Sequence, residues 1–171
     1  MPGLRANLDV SAFHSVLEDA IDLAEGAPPQ LVNRSGVRAR GVEGELSLQV
    51  LAELHVVGHL AYVETEIRDS AERLRNRPKW RGGGKLQWQA SPDLTASVSL
   101  LTVGQVFDSA IPTGDLVLAA HTTVNLAVTY RLAENLRLLA AIENLLDEDY
   151  EEAIGTPSPG LVLRTGASMR F

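Results

Sequence analysis

Four histidines, His14, His55, His59 and His121, are the first residues of this chain to examine for chemistry. No cysteine accompanies them, so a thiolate metal site and a disulfide framework are both excluded. His55 and His59 stand four apart, a spacing that on a helix turns both imidazoles to one face, as zinc sites require. Their segment alternates with a period of two instead. On a strand the two rings share a sheet face but lie about 13 Å apart, too far for one ion, and they read as wall or interface histidines. The run Asp147, Glu148, Asp149, Glu151 and Glu152 around Tyr150 offers the hard oxygen donors that calcium accepts; the simpler reading is a solvated external loop. Arg73, Arg75, Arg77, Lys79 and Arg81 make the stretch Arg68–Arg81 basic. Such a stretch could meet lipopolysaccharide phosphates or an anionic ligand, or simply be a solvated loop. Gly82-Gly83-Gly84 lacks the Gly-Lys-Ser/Thr and the helix of a phosphate loop, and more plausibly relieves crowding at a strand start. There is no Gly-x-Ser-x-Gly, and the Ser, His and Asp placement suggests no triad. No catalytic residue, no resident metal and no cofactor are expected.

The elements that must position these residues follow from alternation. Between Thr123 and Leu132, one parity holds Val124, Leu126, Val128, Tyr130 and Leu132. The other holds Thr123, Asn125, Ala127, Thr129 and Arg131. Successive strand side chains point to opposite faces, so one face is apolar and the other mostly polar. The last segment repeats this, with Leu161, Leu163, Thr165, Ala167, Met169 and Phe171 against Arg164, Gly166, Ser168 and Arg170. Around Lys85, the polar set is Lys85, Gln87 and Gln89, against Leu86, Trp88 and Ala90. From Val42 to Val50, the apolar set Val42, Gly44, Leu46, Leu48 and Val50 opposes Glu43, Glu45, Ser47 and Gln49. Weaker alternation runs through Leu4–Val16, Leu54–Tyr62, Leu94–Val106 and Asn135–Asn144, giving about eight strands. In the first of these, Phe13, Val16, Leu17, Ala20, Ile21 and Leu23 also fit one face of a helix capped by Ser11; the alternative is a strand bulged near His14.

Hairpin-length turns are expected at Ala52-Glu53, Ser91-Pro92-Asp93 and Ala133-Glu134. Long loops are expected at Asp22–Arg34, Glu64–Arg81, Asp108–His121 and Asp147–Gly160. Short turns on one edge and long loops on the other is the asymmetry of outer-membrane barrels, with the short turns periplasmic. No stretch approaches the roughly 18 apolar residues of a membrane helix, and a transmembrane β-barrel remains open because alternating strands give no hydropathy peak. With 22 acidic and 15 basic residues the formal net charge is −7, which disfavours a general nucleic-acid binder. Parity alone does not say which face is wet. A soluble lipocalin-type barrel would turn the apolar face inward. The terminal aromatic and the small neutral residues on the polar face favour a polar lumen and a lipid-facing apolar side. Tyr62, Trp80, Trp88, Tyr130 and Phe171 are candidates for the aromatic girdles.

Two C-terminal stretches carry a resemblance. They are Glu143-Asn144-Leu145-Leu146-Asp147-Glu148-Asp149-Tyr150 and Pro159-Gly160 followed by the closing strand to Phe171. Together they resemble the last strands of TonB-dependent outer-membrane receptors, with Asn144, Leu145, Leu146, Asp147 and Tyr150 matching the family's Asn-Leu-[Leu/Phe]-Asp-x-x-Tyr run. Asn33-Arg34-Ser35-Gly36 through Gly41-Val42-Glu43-Gly44-Glu45 resembles an upstream strand of the same family, and Val124–Tyr130 its antepenultimate strand. The final strand is also similar to the signal read by the barrel-assembly machinery, here Arg164, Gly166, Met169 and Phe171.

The resemblance implies residues 1–171 as the C-terminal portion of a larger barrel of about 22 strands, embedded in outer-membrane lipid. It implies active uptake of a scarce, bulky ligand of the ferric siderophore or cobalamin class. Contact with the inner-membrane TonB complex would come only through N-terminal regions that this chain lacks, as it lacks the plug and a secretory signal at its start. Lumen-wall candidates are Lys85, Gln87, Gln89, Asn125, Thr129, Arg131, Arg164 and Arg170. The alternatives are a self-contained eight-stranded outer-membrane barrel with a structural role, and a soluble β-barrel that binds an apolar ligand.

Overall fold

The computed structural model describes residues 4–24, 30–68, 71, 73–110 and 114–170. They form twelve strands and no helix: β1 (Arg5–Ala24), β2 (Gln30–Leu51), β3 (Leu54–Ile67), β4 (Trp80–Gln89), β5 (Leu94–Val103), β6 (Val106–Ala110), β7 (Gly114–Leu118), β8 (His121–Ala133), β9 (Leu136–Glu143), β10 (Glu151–Ala153), β11 (Thr156–Pro157) and β12 (Val162–Met169). Eight of them make one antiparallel sheet in the order β1-β2-β3-β4-β5-β8-β9-β12. The remaining four pair as two small ribbons, β6 with β7 and β10 with β11, inserted at the loop edge.

The register shows why alternation specifies this sheet. One lateral row runs Ala6, Leu48, Val56, Leu86, Val98, Leu126, Ile142, Leu163 across all eight strands. The adjacent row, one residue along, runs Arg5, Gln49, His55, Gln87, Ser97, Ala127, Ala141, Arg164. A one-residue slip anywhere would carry a whole strand's apolar set to the polar face. On the apolar face Tyr62 pairs with Trp80 toward the loop edge, while Trp88 pairs with Leu54 and Tyr130 with Leu94 toward the short turns. Trp80 and Trp88 are eight residues apart on β4, about 26 Å along the strand. That spacing brackets an apolar band like those of membrane barrels.

The sheet has almost no interior. Among the described residues Ile67 is the single buried hydrophobic side chain, while Leu8 and Leu163 are each 66% exposed on the apolar face. Ordering a chain of this length costs far more than such burial returns in water, so the apolar face must be covered from outside the chain. β1 pairs only with β2 and β12 only with β9 among the described residues. The eight strands therefore do not close on themselves. That removes the enclosed interior which the self-contained barrel and the soluble binder both need.

Several boundaries differ from expectation. The helix over Phe13–Leu23 is not formed. β1 is a strand throughout, and its register with β2 runs unbroken from Arg5↔Gln49 to Glu18↔Gly36, with no bulge at His14. The expected loop Asp22–Arg34 is strand at both its ends, because β1 runs on to Ala24 and β2 starts at Gln30; residues 25–29 lie outside the described ones. The expected loops Asp108–His121 and Asp147–Gly160 carry the two ribbons instead of irregular chain. The register shifts in the eight-stranded sheet fall beside short turns, at Gln49/Leu51 and Arg131/Ala133, and the β10–β11 ribbon has one more at Glu151/Ala153. Arg5 and Met169 both lie at the short-turn edge, beside Gln49 and Leu136.

Gly83 illustrates a close approach that a side chain would block. It pairs with His59, and a Cβ there would stand 2.7 Å from the Leu100 carbonyl and 3.0 Å from His59 Cε1. The imidazole lies over the space the glycine leaves. Phe13 covers Gly41 in the same way on β1 and β2.

Candidate functional site

The polar face is the first part of the site. The register places Lys85, Gln87 and Gln89 on β4, Asn125, Thr129 and Arg131 on β8, and Arg164 on β12 all opposite the apolar row. Arg170 follows β12 with the parity of Arg164, and its N–H donates to the Asn135 carbonyl at 3.0 Å. Three of these residues have partners within the wall. Arg131 Nε donates to Asp93 Oδ1 at 2.7 Å and its guanidinium also reaches the Pro92 carbonyl at 3.2 Å, holding the turn between β4 and β5. Arg164 Nε pairs with Glu143 Oε1 at 2.6 Å. Asn125 Oδ1 accepts the Asn144 N–H at 2.9 Å. Lys85, Gln87 and Gln89 are exposed.

The Asn144–Tyr150 run folds into a latch over the ends of β8, β9 and β12. Asn144 is buried, with a left-handed backbone at φ 49°. Its Nδ2 donates to the Glu148 carbonyl at 2.9 Å and the Pro159 carbonyl at 3.3 Å, and its Oδ1 accepts the Glu148 N–H at 3.0 Å. An amide that donates and accepts at once suits this task, and Asn tolerates the left-handed region better than most residues. Leu145 N–H donates to the Val124 carbonyl at 2.7 Å, while Leu146 is exposed. Asp147, at φ 51°, accepts the Leu161 N–H on Oδ1 at 2.8 Å. Gly160 faces that same oxygen closely enough that a Cβ would meet it at 2.5 Å. Tyr150 stacks on His121, with ring centroids 4.0 Å apart and planes at 16°. Two carboxylates of the acidic run, Asp147 and Glu151, are thus used in turns, Glu151 Oε2 accepting the Gly155 N–H at 3.1 Å. Asp149 and Glu152 are exposed.

The four histidines are dispersed. His55 and His59 share the polar face without converging, His14 pairs with Arg40, and His121 lies in the latch. Among the described residues no group of three or more His, Asp or Glu side chains is placed to hold a metal ion.

The basic stretch has a definite setting. Asn76 N–H donates to the Phe107 carbonyl at 2.9 Å, docking loop 68–79 on β6. The buried Asp108 accepts the Ile154 N–H at 3.2 Å, docking β6 on the β10–β11 ribbon. A cavity of about 710 Å³ opens between these parts, lined by Arg73, Arg77, Lys79, Trp80, Gln105 and Phe107 among others. Arg81 lies on β4 between Ala61 and Val103. Alternation could not find Phe107, whose strand has only five residues, nor Gln105, which lies between β5 and β6. A smaller cleft of about 250 Å³ lies beside it, where Arg40 pairs with Glu64 at 2.7 Å and Arg38 with Glu66 at 3.3 Å. Of the residues expected to form a barrel-assembly signal, Gly166 pairs with Leu139 and Met169 with Leu136. Phe171 lies outside the described residues.

A two-faced, loop-capped sheet of this kind is one wall of a large membrane barrel. The family profile "TonB dependent receptor-like, beta-barrel" matches residues 2–145, and the chain belongs to that family. It is 28% identical over 159 residues to the metal-pseudopaline receptor CntO of Pseudomonas aeruginosa, covering 86% of this chain and 22% of that protein. It is 27% identical over 153 residues to the vitamin B12 transporter BtuB of Vibrio vulnificus, covering 85% of this chain and 23% of the relative. Among solved structures, the copper transporter OprC superposes with a TM-score of 0.81 at 20% identity, over 97% of this chain and 29% of that one. The chain therefore spans between a fifth and a quarter of the length of these curated relatives. Its place is the outer membrane, crossed by strands.

Proposed function

We propose that this chain is the C-terminal wall, residues 1–171, of an active outer-membrane transporter for a scarce, bulky ligand of the ferric siderophore or cobalamin class. The observation that carries the reading is the sheet's division into an unbroken apolar row and an adjacent polar row across eight strands. A lipid-facing exterior and a wet lumen require that division. Membership of the receptor family supports it. Lys85, Gln87, Gln89, Asn125, Thr129, Arg131, Arg164 and Arg170 would face the lumen as wall residues. No step of the function asks for bond chemistry, and the chain is read as a transporter without enzymatic activity.

Energy would arrive from the inner-membrane TonB complex through regions outside this chain, and a secretory signal would be supplied upstream. Arg164, Gly166, Met169 and Phe171 would be read by the barrel-assembly machinery as an edge strand able to pair before closure. The test is deletion of the gene, with uptake of ferric siderophores and of cyanocobalamin measured under limitation. Loss of uptake of one ligand, also lost when TonB is absent, is expected. Full retention of both would sink the reading.

A further inference from the structure

We infer that the cleft above the aromatic pair Tyr62 and Trp80, on the outer side of β2 and β3, binds the phosphate of an outer-leaflet glycolipid, with Arg40 and Lys79 as its cationic contacts. The assignment rests on the apolar face meeting lipid, as proposed above, and not on which ligand is transported.

The register places this cleft on the lipid side of the wall. Ala12, Val42, Tyr62 and Trp80 form one lateral row of the apolar face. Two residues further toward the loop edge, the same face carries the row His14, Arg40, Glu64, and two residues beyond that the row Val16, Arg38, Glu66. Each such step is about 7 Å along the strand. The face therefore turns from apolar to charged within one step of the aromatic pair, the level at which headgroups replace acyl chains. The Tyr62 hydroxyl marks the direction, because it donates to Glu64 Oε1 at 2.8 Å and so points away from the apolar band. The short turns lie at the opposite edge, the periplasmic one in barrels of this kind, so the charged rows meet the outer leaflet.

The chemistry of these rows suits a phosphate. Arg40 gives Glu64 Oε2 two bonds, from Nε at 2.9 Å and Nη2 at 2.7 Å, and Arg38 Nη1 pairs with Glu66 Oε1 at 3.3 Å. Both carboxylates are thus committed to fixing guanidinium groups, which reduces the ordering cost of binding. The Arg40 side chain remains 71% exposed, and its other N–H donors are open to an oxyanion. Lys79 lines the same cleft and makes no ion pair among the described residues. Three permanent cations against two carboxylates leave the cleft positive, in a chain whose formal net charge is −7. A guanidinium fork beside an ammonium point charge is a phosphate-binding combination. The volume of about 250 Å³ is below the roughly 300–1,000 Å³ of small-molecule sites, so the cleft takes a headgroup and not a whole solute. Below it, Val10, Val42 and Leu60 are exposed, and Gly44, between Val10 and Leu60, leaves a dip among them. A phosphate above and an acyl chain below is the layout of a lipid, and a soluble anion would use only the upper half.

The experiment uses the full-length gene product in detergent, with native mass spectrometry counting the lipid that stays bound. The probes are bisphosphorylated lipid A, the same lipid freed of its phosphates, and inorganic phosphate. Retention of the bisphosphorylated form is expected, with neither retention of the dephosphorylated form nor displacement by inorganic phosphate. R40Q/K79Q should weaken retention by about tenfold or more. R137Q, on the polar face beside the short turns, should leave it unchanged. Because Arg40 also holds Glu64, E64Q is the second variant. It removes an anion and keeps the cations, so retention should hold or tighten. Heat-modifiable migration checks that each variant is folded. Equal retention of the two lipid forms, equal affinity of folded R40Q/K79Q and wild type, or a loss in folded E64Q as large as in R40Q/K79Q would overturn the site. Displacement by inorganic phosphate would overturn the lipid as its occupant. Quenching of Trp88 by brominated phospholipid, taken by difference from W88F, tests the face assignment beneath. Its absence would overturn that assignment and the site together, and its presence without any phosphate dependence of binding would overturn the site alone.

Discussion

Asn144 shows how one side chain can organise a loop whose length would suggest irregular structure. Its amide satisfies backbone groups at Glu148 and Pro159 while its own N–H is tied to Asn125. Replacing it by Ala removes those bonds at a buried position and leaves a non-glycine residue at positive φ. The expected cost is about 2–4 kcal/mol, confined to the latch. Faster hydrogen exchange at the Glu148 and Leu161 amides, with little change in β3 to β5, would register it. His121 is expected to behave in the opposite sense. Its Nδ1 is buried without a hydrogen-bond partner among the described residues, while the ring stacks on Tyr150. His121→Phe keeps the stack and removes an unsatisfied polar atom, so thermal stability should hold or rise by up to about 1 kcal/mol. A clear fall in the melting temperature would count against that accounting. The motif containing Asn144 was visible through resemblance, but its bonding pattern was not. Nor does any local pattern tie His121 to Tyr150, which lies 29 positions further on, since the contact exists only once the latch has folded back.

At the level of the strand, alternation was legible wherever lipid meets one face and water the other. The Leu126 and Lys85 segments were read correctly for that reason. Alternation faded at Gln30–Arg38, where β2 runs beyond the aromatic pair Tyr62 and Trp80 and both faces meet water, and the prolines nearby pointed to a loop. The Val106–Ala110 and Gly114–Leu118 ribbon was missed because five residues per strand carry too little period to count. The assignment of faces is testable. Leu126→Arg puts a charge into the apolar row between Val98 and Ile142, at a cost of about 2–4 kcal/mol near the bilayer midplane. It should reduce the folded, membrane-inserted fraction sharply. Thr129→Arg, on the polar face, should insert normally. Equal insertion of the two variants would mean the faces are assigned the wrong way round. Gly83→Val should also impair assembly, since the added atoms collide with the Leu100 carbonyl and the His59 ring. Loss of heat-modifiable migration is the reading.

On the scale of the molecule, the open edges at β1 and β12 govern behaviour in solution. The 171-residue chain expressed alone presents two unpaired strand edges, among the described residues, and an exposed apolar face, both routes to association. In detergent it should run as oligomers that no heating step converts from a compact monomer. A monodisperse compact monomer would show that the two edges can find each other. That an eight-stranded sheet stands here was legible from sequence. That it stays open was not, because closure depends on tilt and stagger, which alternation does not encode.

The strands of this wall are unequal. β2 has 22 residues and β12 has eight, about 73 Å against about 26 Å along the strand. The rim therefore slopes, rising on the side of β1 and β2 like one bank of a river and falling toward β9 and β12. On the low side the β6–β7 and β10–β11 ribbons and the Asn144 latch stand in place of longer strands. The bank there is built of loop, where the high bank is built of sheet.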